Sequence, residues 1–223
     1  MTYYAALAAA ALTCYLLGSM NTALVTVFLI KHKDIRDYGS KNAGLTNVYR
    51  CFGSTCAAAT VVVDIAKSLF VVYGTRWFLF GSGLVDSSGR DVLTACLIST
   101  LAAVIGHVFP IFYKFKGGKG ILIAAMCMLF ADPVVFVCEA VVFFVLVGIT
   151  KYISVGSLAA CVGFPVFSFV VDMLTLEDKT FMPAHIIIAF AMGALCFARH
   201  WSNIERLRNH TENKFTIKKN KEV

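Results

Sequence analysis

Long apolar runs separated by short polar islands set the pattern of this chain of 223 residues. Runs of bilayer-spanning character occupy roughly residues 3–30, 54–73, 92–112, 118–131, 133–150, 152–171 and 184–199, and each predicts a helix. The fourth is short and ends at the tight turn Ala131-Asp132-Pro133, so it is expected to cross only in part or to be tilted and pinned by its neighbours. The runs are continuous, whereas the strands of a membrane barrel would alternate in segments of about ten residues. The expected fold is therefore an all-α membrane bundle of seven transmembrane helices, one or two of them short. Residues 1–223 form a single domain, the bundle itself, with no room for a separate soluble unit.

Composition agrees: 59% of residues are hydrophobic and 15% charged, with a mean hydropathy of +0.77, far from a soluble domain. The net charge of +7 would suggest nucleic acid in a soluble protein. Here the cations stand in short connections beside apolar runs and read as topology signals, so no nucleic-acid partner is expected. Sixteen fall in alternate connections on one side: Lys31, Lys33, Arg36, Lys41, Arg50, Lys114, Lys116, Lys119, Lys151, Arg199, Arg206, Arg208, Lys214, Lys218, Lys219 and Lys221. Arg76, Arg90 and Lys179 fall on the other, and Lys67 lies within a span. The positive-inside rule places the N-terminus outside and the C-terminus in the cytoplasm.

The eight cysteines fall almost all within apolar runs, without metal-ligand spacing, and read as small packing residues; no metal or cofactor is expected. No basic stretch precedes the first run, which reads as a retained span. Asp64 and Lys67, spaced i, i+3, can neutralise one another on one helix face, while Glu139 stands in the fifth run without a visible partner.

Three polar islands carry the candidate chemistry. The first runs from Gly39 to Arg50, where small residues permit close backbone approach and hydroxyls, amides and a guanidinium offer partners to a phosphate. The second joins Gly106-His107 to Lys116-Gly117-Gly118-Lys119-Gly120, ahead of a new helix whose positive N-terminus suits an anion. It lacks the spacing and Ser/Thr of a Walker motif. The third runs from Arg199 through His200 and Asn203 to Arg206 and Glu212, with His200 and Asn203 on one face if the helix continues. All three islands fall at one level of the bundle, which suits a substrate with an apolar tail and a phosphate head.

In order and along the whole chain, these motifs resemble the PlsY family of bacterial acyl-phosphate:glycerol-3-phosphate acyltransferases. They are Gly18-Ser19, Asp34-Ile35-Arg36 with Gly39-Ser40-Lys41-Asn42, Thr46-Asn47-Val48-Tyr49-Arg50, Gly106-His107, Phe115 to Gly120, and Arg199-His200 through Asn203-Ile204 to Arg206-Leu207. The resemblance implies transfer of a fatty acyl group from acyl phosphate to the 1-hydroxyl of glycerol 3-phosphate, giving lysophosphatidic acid. It implies a multi-pass protein of the bacterial inner membrane, with its site on the cytoplasmic face and a soluble acyl-phosphate-forming enzyme as a candidate partner. By matched position it implies Ser40, Arg50, Lys119, His200 and Asn203 as catalytic groups. Asn42, Gly44, Thr46, Asn47, His107, Gly117, Gly118 and Gly120 are the implied phosphate-side groups. The chain departs from the family pattern at Asn21 (usually proline), Lys41 (glycine), Ala43 (branched aliphatic), Leu45 (alanine), Ser68 (glycine) and Ile121-Leu122-Ile123 (Val-Ala-Thr).

Two mechanisms compete. The phosphate of the acyl phosphate accepts the hydroxyl proton, as the resemblance suggests, or Ser40 carries the acyl group covalently. His32 and Asp37 formally match the His-x4-Asp of other glycerolipid acyltransferases, a weak signal at these residue frequencies. The rival class is a transporter or channel for an anionic solute, against which stand the lack of an internal repeat and the polar groups gathered at one surface.

Overall fold

The computed structural model describes residues 2–83, 91–176 and 179–215. Arg90, Lys218, Lys219 and Lys221 of the charge pattern lie outside the described residues. Regular structure among the described residues is helical: α1 (Tyr3–Ser19), α2 (Thr22–Lys31), α3 (Leu45–Gly81), α4 (Asp91–Val108), α5 (Ile121–Ala131), α6 (Pro133–Thr150), α7 (Ile153–Thr175), α8 (Met182–Arg199) and α9 (Trp201–Arg208). Six stretches are long and apolar enough to cross a membrane, α1 and α2 together forming the first. The fourth predicted helix, the short one, is α5, whose 11 residues reach about 16 Å against a hydrocarbon core of about 30 Å.

The first run, expected as one helix, is broken at Met20-Asn21. The Asn21 side chain accepts from Leu24 N–H at 3.1 Å and so caps α2, while its amide donates to the Ala43 carbonyl at 3.4 Å. An asparagine that competes for backbone partners favours a cap over a helix interior. α3 begins at Leu45, nine residues before its expected start, because the turn that carries Tyr49 and Arg50 is helical although polar. Gly53, at φ +79°, kinks it where the apolar part begins.

α4 is the central helix, packed against α1, α3, α5 and α8. Small residues bring it close to α1: a side-chain carbon at Gly18 would strike the Ala103 carbonyl, and one at Gly106 the Tyr15 carbonyl. α6 leans on α7 and leaves Val137, Val141, Phe144 and Ile149 exposed, as a lipid-facing helix should. Asp132 caps it through Val135 N–H at 3.1 Å, with Pro133 in its first turn. Six of the cysteines are buried and the other two half-buried, and all eight are free thiols.

Connections at one end of the bundle meet. Arg36 donates to the Tyr113 and Lys116 carbonyls, each at 3.4 Å, and Phe215 N–H donates to the Lys151 carbonyl at 2.7 Å. At the opposite end His185 lies 2.9 Å from Asp172 and 3.0 Å from Thr94, tying α4, α7 and α8 together.

Candidate active site

The first island folds around one side chain. Asn47, on the first turn of α3 and 2% exposed, donates to the carbonyls of Tyr38 (2.9 Å), Asn42 (3.1 Å) and Ile35 (3.4 Å), and its oxygen accepts from Ser40 N–H at 3.0 Å. A side chain so occupied shapes the loop and has little left for a ligand. Gly39, at φ +57°, passes so close that a side-chain carbon there would run into the Asn47 oxygen and the Cys51 sulfur. The close approach that glycine permits here is thus to Asn47. Lys41 follows at φ +58°, a left-handed conformation that accounts for glycine in the family pattern. Ser40 stands exposed at the turn, and Gly44 caps α3 with Thr46 half-buried beside it. Asp34 steadies the loop entrance through Arg36, 2.6 Å away, and this guanidinium holds its carboxyl below the usual range. His32 ends α2 in a left-handed conformation with its ring beside Phe28, and no hydrogen bond joins it to Asp37.

The second island lies against the first. Gly118 N–H donates to the His107 carbonyl at 3.1 Å, and a side-chain carbon at Gly118 would strike the His107 ring and the Ala43 carbonyl. His107 is buried, with no hydrogen-bond partner for Nδ1 among the described residues. Gly117 packs on Pro110, and Gly120, at φ +86°, seats the start of α5 against Val104 and Cys196. The first N–H groups of α5 therefore open next to Lys119.

The third island closes the arrangement. The Lys119 ammonium donates to the Asn203 oxygen, the Asn203 amide donates to Glu212 at 3.3 Å, and Arg206 donates to the same carboxylate oxygen at 2.9 Å. His200, 3% exposed at the junction of α8 and α9, donates from Nδ1 to the Cys196 carbonyl at 2.8 Å. The neutral ring then offers Nε2 as an acceptor. Asn203 N–H donates to the His200 carbonyl at 2.8 Å, which binds the two candidates into one turn.

Electrostatics joins the pieces. Lys119 lies in the fields of Arg206, Arg199 and Arg50, with Glu212 the opposing carboxylate. Burial, followed by Arg206, brings its pKa down from 10.5 to about 8. Burial, and to a lesser degree Lys119, brings His200 down to about 4, so it is neutral at physiological pH. Arg50 is exposed and faces the group through its charge. Ser40, Arg50, Lys119, His200 and Asn203 thus gather at one end of the bundle. Gly44, Thr46 and Asn42 belong to the wall that carries Ser40.

Sequence reasoning assigned no role to Glu212. It reaches Arg206 and Asn203 because the chain reverses after α9, with His210 at φ +55°, a reversal that helical spacing does not reveal. Asp64 and Lys67 pair at 3.2 Å as their spacing implied, and Thr22 joins them. Glu139 lies against Gly163, its carboxylate oxygens buried without a hydrogen-bond partner among the described residues.

Residues 8–210 match the family model described as glycerol-3-phosphate acyltransferase. The glycerol-3-phosphate acyltransferase of Clostridioides difficile is 35% identical over 209 residues, 94% of this chain and 95% of that one. That of Finegoldia magna is 34% identical over 203 residues, 91% and 93% of the two chains. Among solved structures, PlsY (YgiH), an integral membrane glycerol 3-phosphate acyltransferase, matches in its glycerol 3-phosphate form with a TM-score of 0.76, 27% identity, and 94% of this chain and 96% of that chain covered. Its lysophosphatidic acid form matches with a TM-score of 0.70 at 26% identity, over 94% and 95% of the two chains. A helical membrane bundle whose polar islands meet at a cationic cluster, matched along nearly its whole length in sequence and in structure, belongs to the glycerol-3-phosphate acyltransferase family.

Proposed function

We propose that this chain transfers a fatty acyl group from acyl phosphate to the 1-hydroxyl of glycerol 3-phosphate, releasing lysophosphatidic acid and phosphate. The observation that carries the reading is the cluster around Lys119: four cations, Lys119, Arg50, Arg199 and Arg206, set against one carboxylate, Glu212. Such an imbalance suits substrates that each bring a phosphate. At 4 Å and an effective dielectric constant of about 20, one cation–anion pair is worth about 4 kcal/mol, so the several cations together are needed to offset the repulsion between two bound phosphates, each of which carries more than one negative charge.

An acyl phosphate is a mixed anhydride with a good leaving group, so the protein's task is charge and position. Arg50 and Lys119 bind phosphate oxygens. Asn203 and Glu212 hold Lys119 and Arg206 in place, and the neutral His200 accepts a hydrogen bond from a glycerol hydroxyl at Nε2. Ser40, the backbone of Asn42, Gly44 and Thr46, and the Gly117 to Gly120 turn with His107 form the walls, and Asn47 sets the loop's shape. The attacking oxygen forms the new ester bond, the acyl–phosphate bond breaks, and a phosphate oxygen of the departing group takes the hydroxyl proton. The site faces the cytoplasm of a bacterium with the N-terminus outside, residues 1–223 acting as one domain in the inner membrane. There it accepts acyl phosphate made by a soluble enzyme.

The test is product stoichiometry. Purified protein supplied with labelled glycerol 3-phosphate and acyl phosphate is expected to form labelled lysophosphatidic acid and phosphate one for one, and Arg50→Ala and Lys119→Ala are expected to form almost none. Acyl label trapped on wild-type protein by acid quench, and lost in Ser40→Ala, would replace direct transfer by an acyl-serine route.

A further inference from the structure

We propose that the centre of the bundle binds a chain of internal water molecules between α1, α3, α4 and α5. Ser19, Ser68, Ser99 and Thr100 are wholly buried and His107 nearly so. Among the described residues, the four hydroxyl oxygens and Nδ1 of His107 have no hydrogen-bond partner. A buried hydroxyl left dry forfeits its hydration without recompense, so such groups in folded proteins meet either protein or ordered water.

Three observations gather these groups into one site. A helical serine or threonine can spend its hydroxyl on the carbonyl one turn back, as Thr26 (2.8 Å), Thr60 (2.8 Å) and Thr75 (2.7 Å) do. Ser68, Ser99 and Thr100 do not, so their oxygens remain available. The orphan groups also share neighbours across helices. The Cys127 thiol of α5 stands beside Ser68 of α3 and Thr100 of α4 without satisfying either hydroxyl. Cys14 of α1 stands beside Ser99 and 3.8 Å from the Thr75 oxygen, and Cys127 lies in the fields of Cys14 and Lys67. Ser19 backs onto Gly106, the neighbour of His107. The His107 ring turns its Nε2 edge to Gly118, which leaves Nδ1 on the other edge, and the ring lies in the fields of Lys67 and Asp64. A polar seam therefore runs from His107, past Lys67, to Thr75.

The chemistry of the seam selects water. Asp64 is committed to Lys67 at 3.2 Å and to Thr22, so the seam offers hydroxyls and thiols but no spare carboxylate to hold a cation. Water, both donor and acceptor, satisfies a hydroxyl and a thiol at once. Ser68 stands where the family pattern has glycine, so this chain adds a hydroxyl of its own. Waters at Cys127 would bridge α3, α4 and α5, the helices whose ends at the site carry Arg50, His107 and Lys119.

The test is hydroxyl-radical labelling by X-ray pulses, in which the radicals form from water itself and a buried side chain reacts where a water lies beside it. The protein in lipid nanodiscs is irradiated in heavy-oxygen water, and oxygenation is read residue by residue by mass spectrometry. Cys161 is the internal control, since it is 4% exposed, as Cys14 is, with Cys127 at 0%, but lies in the contact of α7 with α8. Cys14 and Cys127 are expected to be labelled several times faster than Cys161. Thr100→Val keeps the side chain's shape and is expected to bring Cys127 down to the Cys161 rate. If that variant does not fold, Ser68→Gly, the residue of the family pattern, is expected to do the same. Wild-type Cys14 and Cys127 labelled no faster than Cys161 would mean a dry seam and overturn the proposal, as would undiminished labelling of Cys127 in both variants. The readout needs no substrate, so it stands or falls separately from the acyltransferase reading.

Discussion

Replacing Asn47 with alanine removes the side chain around which the Ser40 loop is built. Three bonds of ordinary length are lost, to Tyr38 (2.9 Å), Ser40 (3.0 Å) and Asn42 (3.1 Å), with a longer one to Ile35. At about 1 kcal/mol each they sum to roughly 3 kcal/mol. The loop is partly exposed, so water recovers some of this, and about 2 kcal/mol of loop order is the expected net loss. That corresponds to a shift of roughly 30-fold toward open loop conformations. The assay is paired: kcat/KM for acyl transfer, expected to fall roughly 10- to 30-fold, and amide hydrogen exchange across Tyr38 to Asn42, expected to accelerate by a similar factor. Asn47→Asp is expected to be worse than Asn47→Ala, because it sets a carboxylate against three carbonyl oxygens. Wild-type exchange at Ser40 together with activity within twofold would show that Asn47 does not order the loop. An effect on KM for glycerol 3-phosphate with unchanged exchange would make Asn47 a ligand of the phosphate instead.

Arg50 is exposed; Arg50→Ala is expected to lower kcat/KM about 100-fold or more while leaving Tm unchanged in a thermal scan. The Lys119 pKa of about 8 lies below 10.5, so its charge is lost as pH rises through about 8, and KM for phosphate substrates is expected to climb beyond that point, with Lys119→Arg flattening the rise. In the same window the unfolded chain holds this proton more tightly, so the contribution of Lys119 to stability rises with pH from about 8 to 10.5, measurable in urea melts. His200, neutral above about pH 4, is expected to add no inflection to the pH–rate profile near neutrality. Lys41→Gly relieves the left-handed strain at φ +58° and is expected to stabilise the protein by about 0.5 kcal/mol after the entropy of glycine is subtracted, read from chemical denaturation with activity retained.

Hydropathy made the bundle legible because spans are long and continuous, and even the brevity of α5 showed in the distance from Gly120 to Pro133. It hid the α1–α2 break, since Met20-Asn21-Thr22 barely lowers the local average; the structure turns on the capping chemistry of one asparagine. It also cut the start from α3, because a polar helical turn looks like a loop to a hydrophobicity scale. At the site, the placement of three islands at one level was legible from alternating connections. The division of labour within them was not. Asn47 shares the composition of a phosphate loop yet spends its amide on the loop itself, and Glu212 enters through a chain reversal that brings it to residues six and nine positions back. Such contacts depend on backbone direction at single left-handed residues, which periodicity does not encode.

A cationic cluster at the membrane edge that couples an acyl phosphate to glycerol 3-phosphate must select its donor, and that selectivity can be measured. Purified protein, labelled glycerol 3-phosphate and one donor at a time, acyl phosphate, acyl-CoA or acyl-carrier protein, give an unambiguous comparison. Lysophosphatidic acid from acyl phosphate alone is the expected result; product from acyl-CoA or acyl-carrier protein but none from acyl phosphate would show that the cluster serves a different donor.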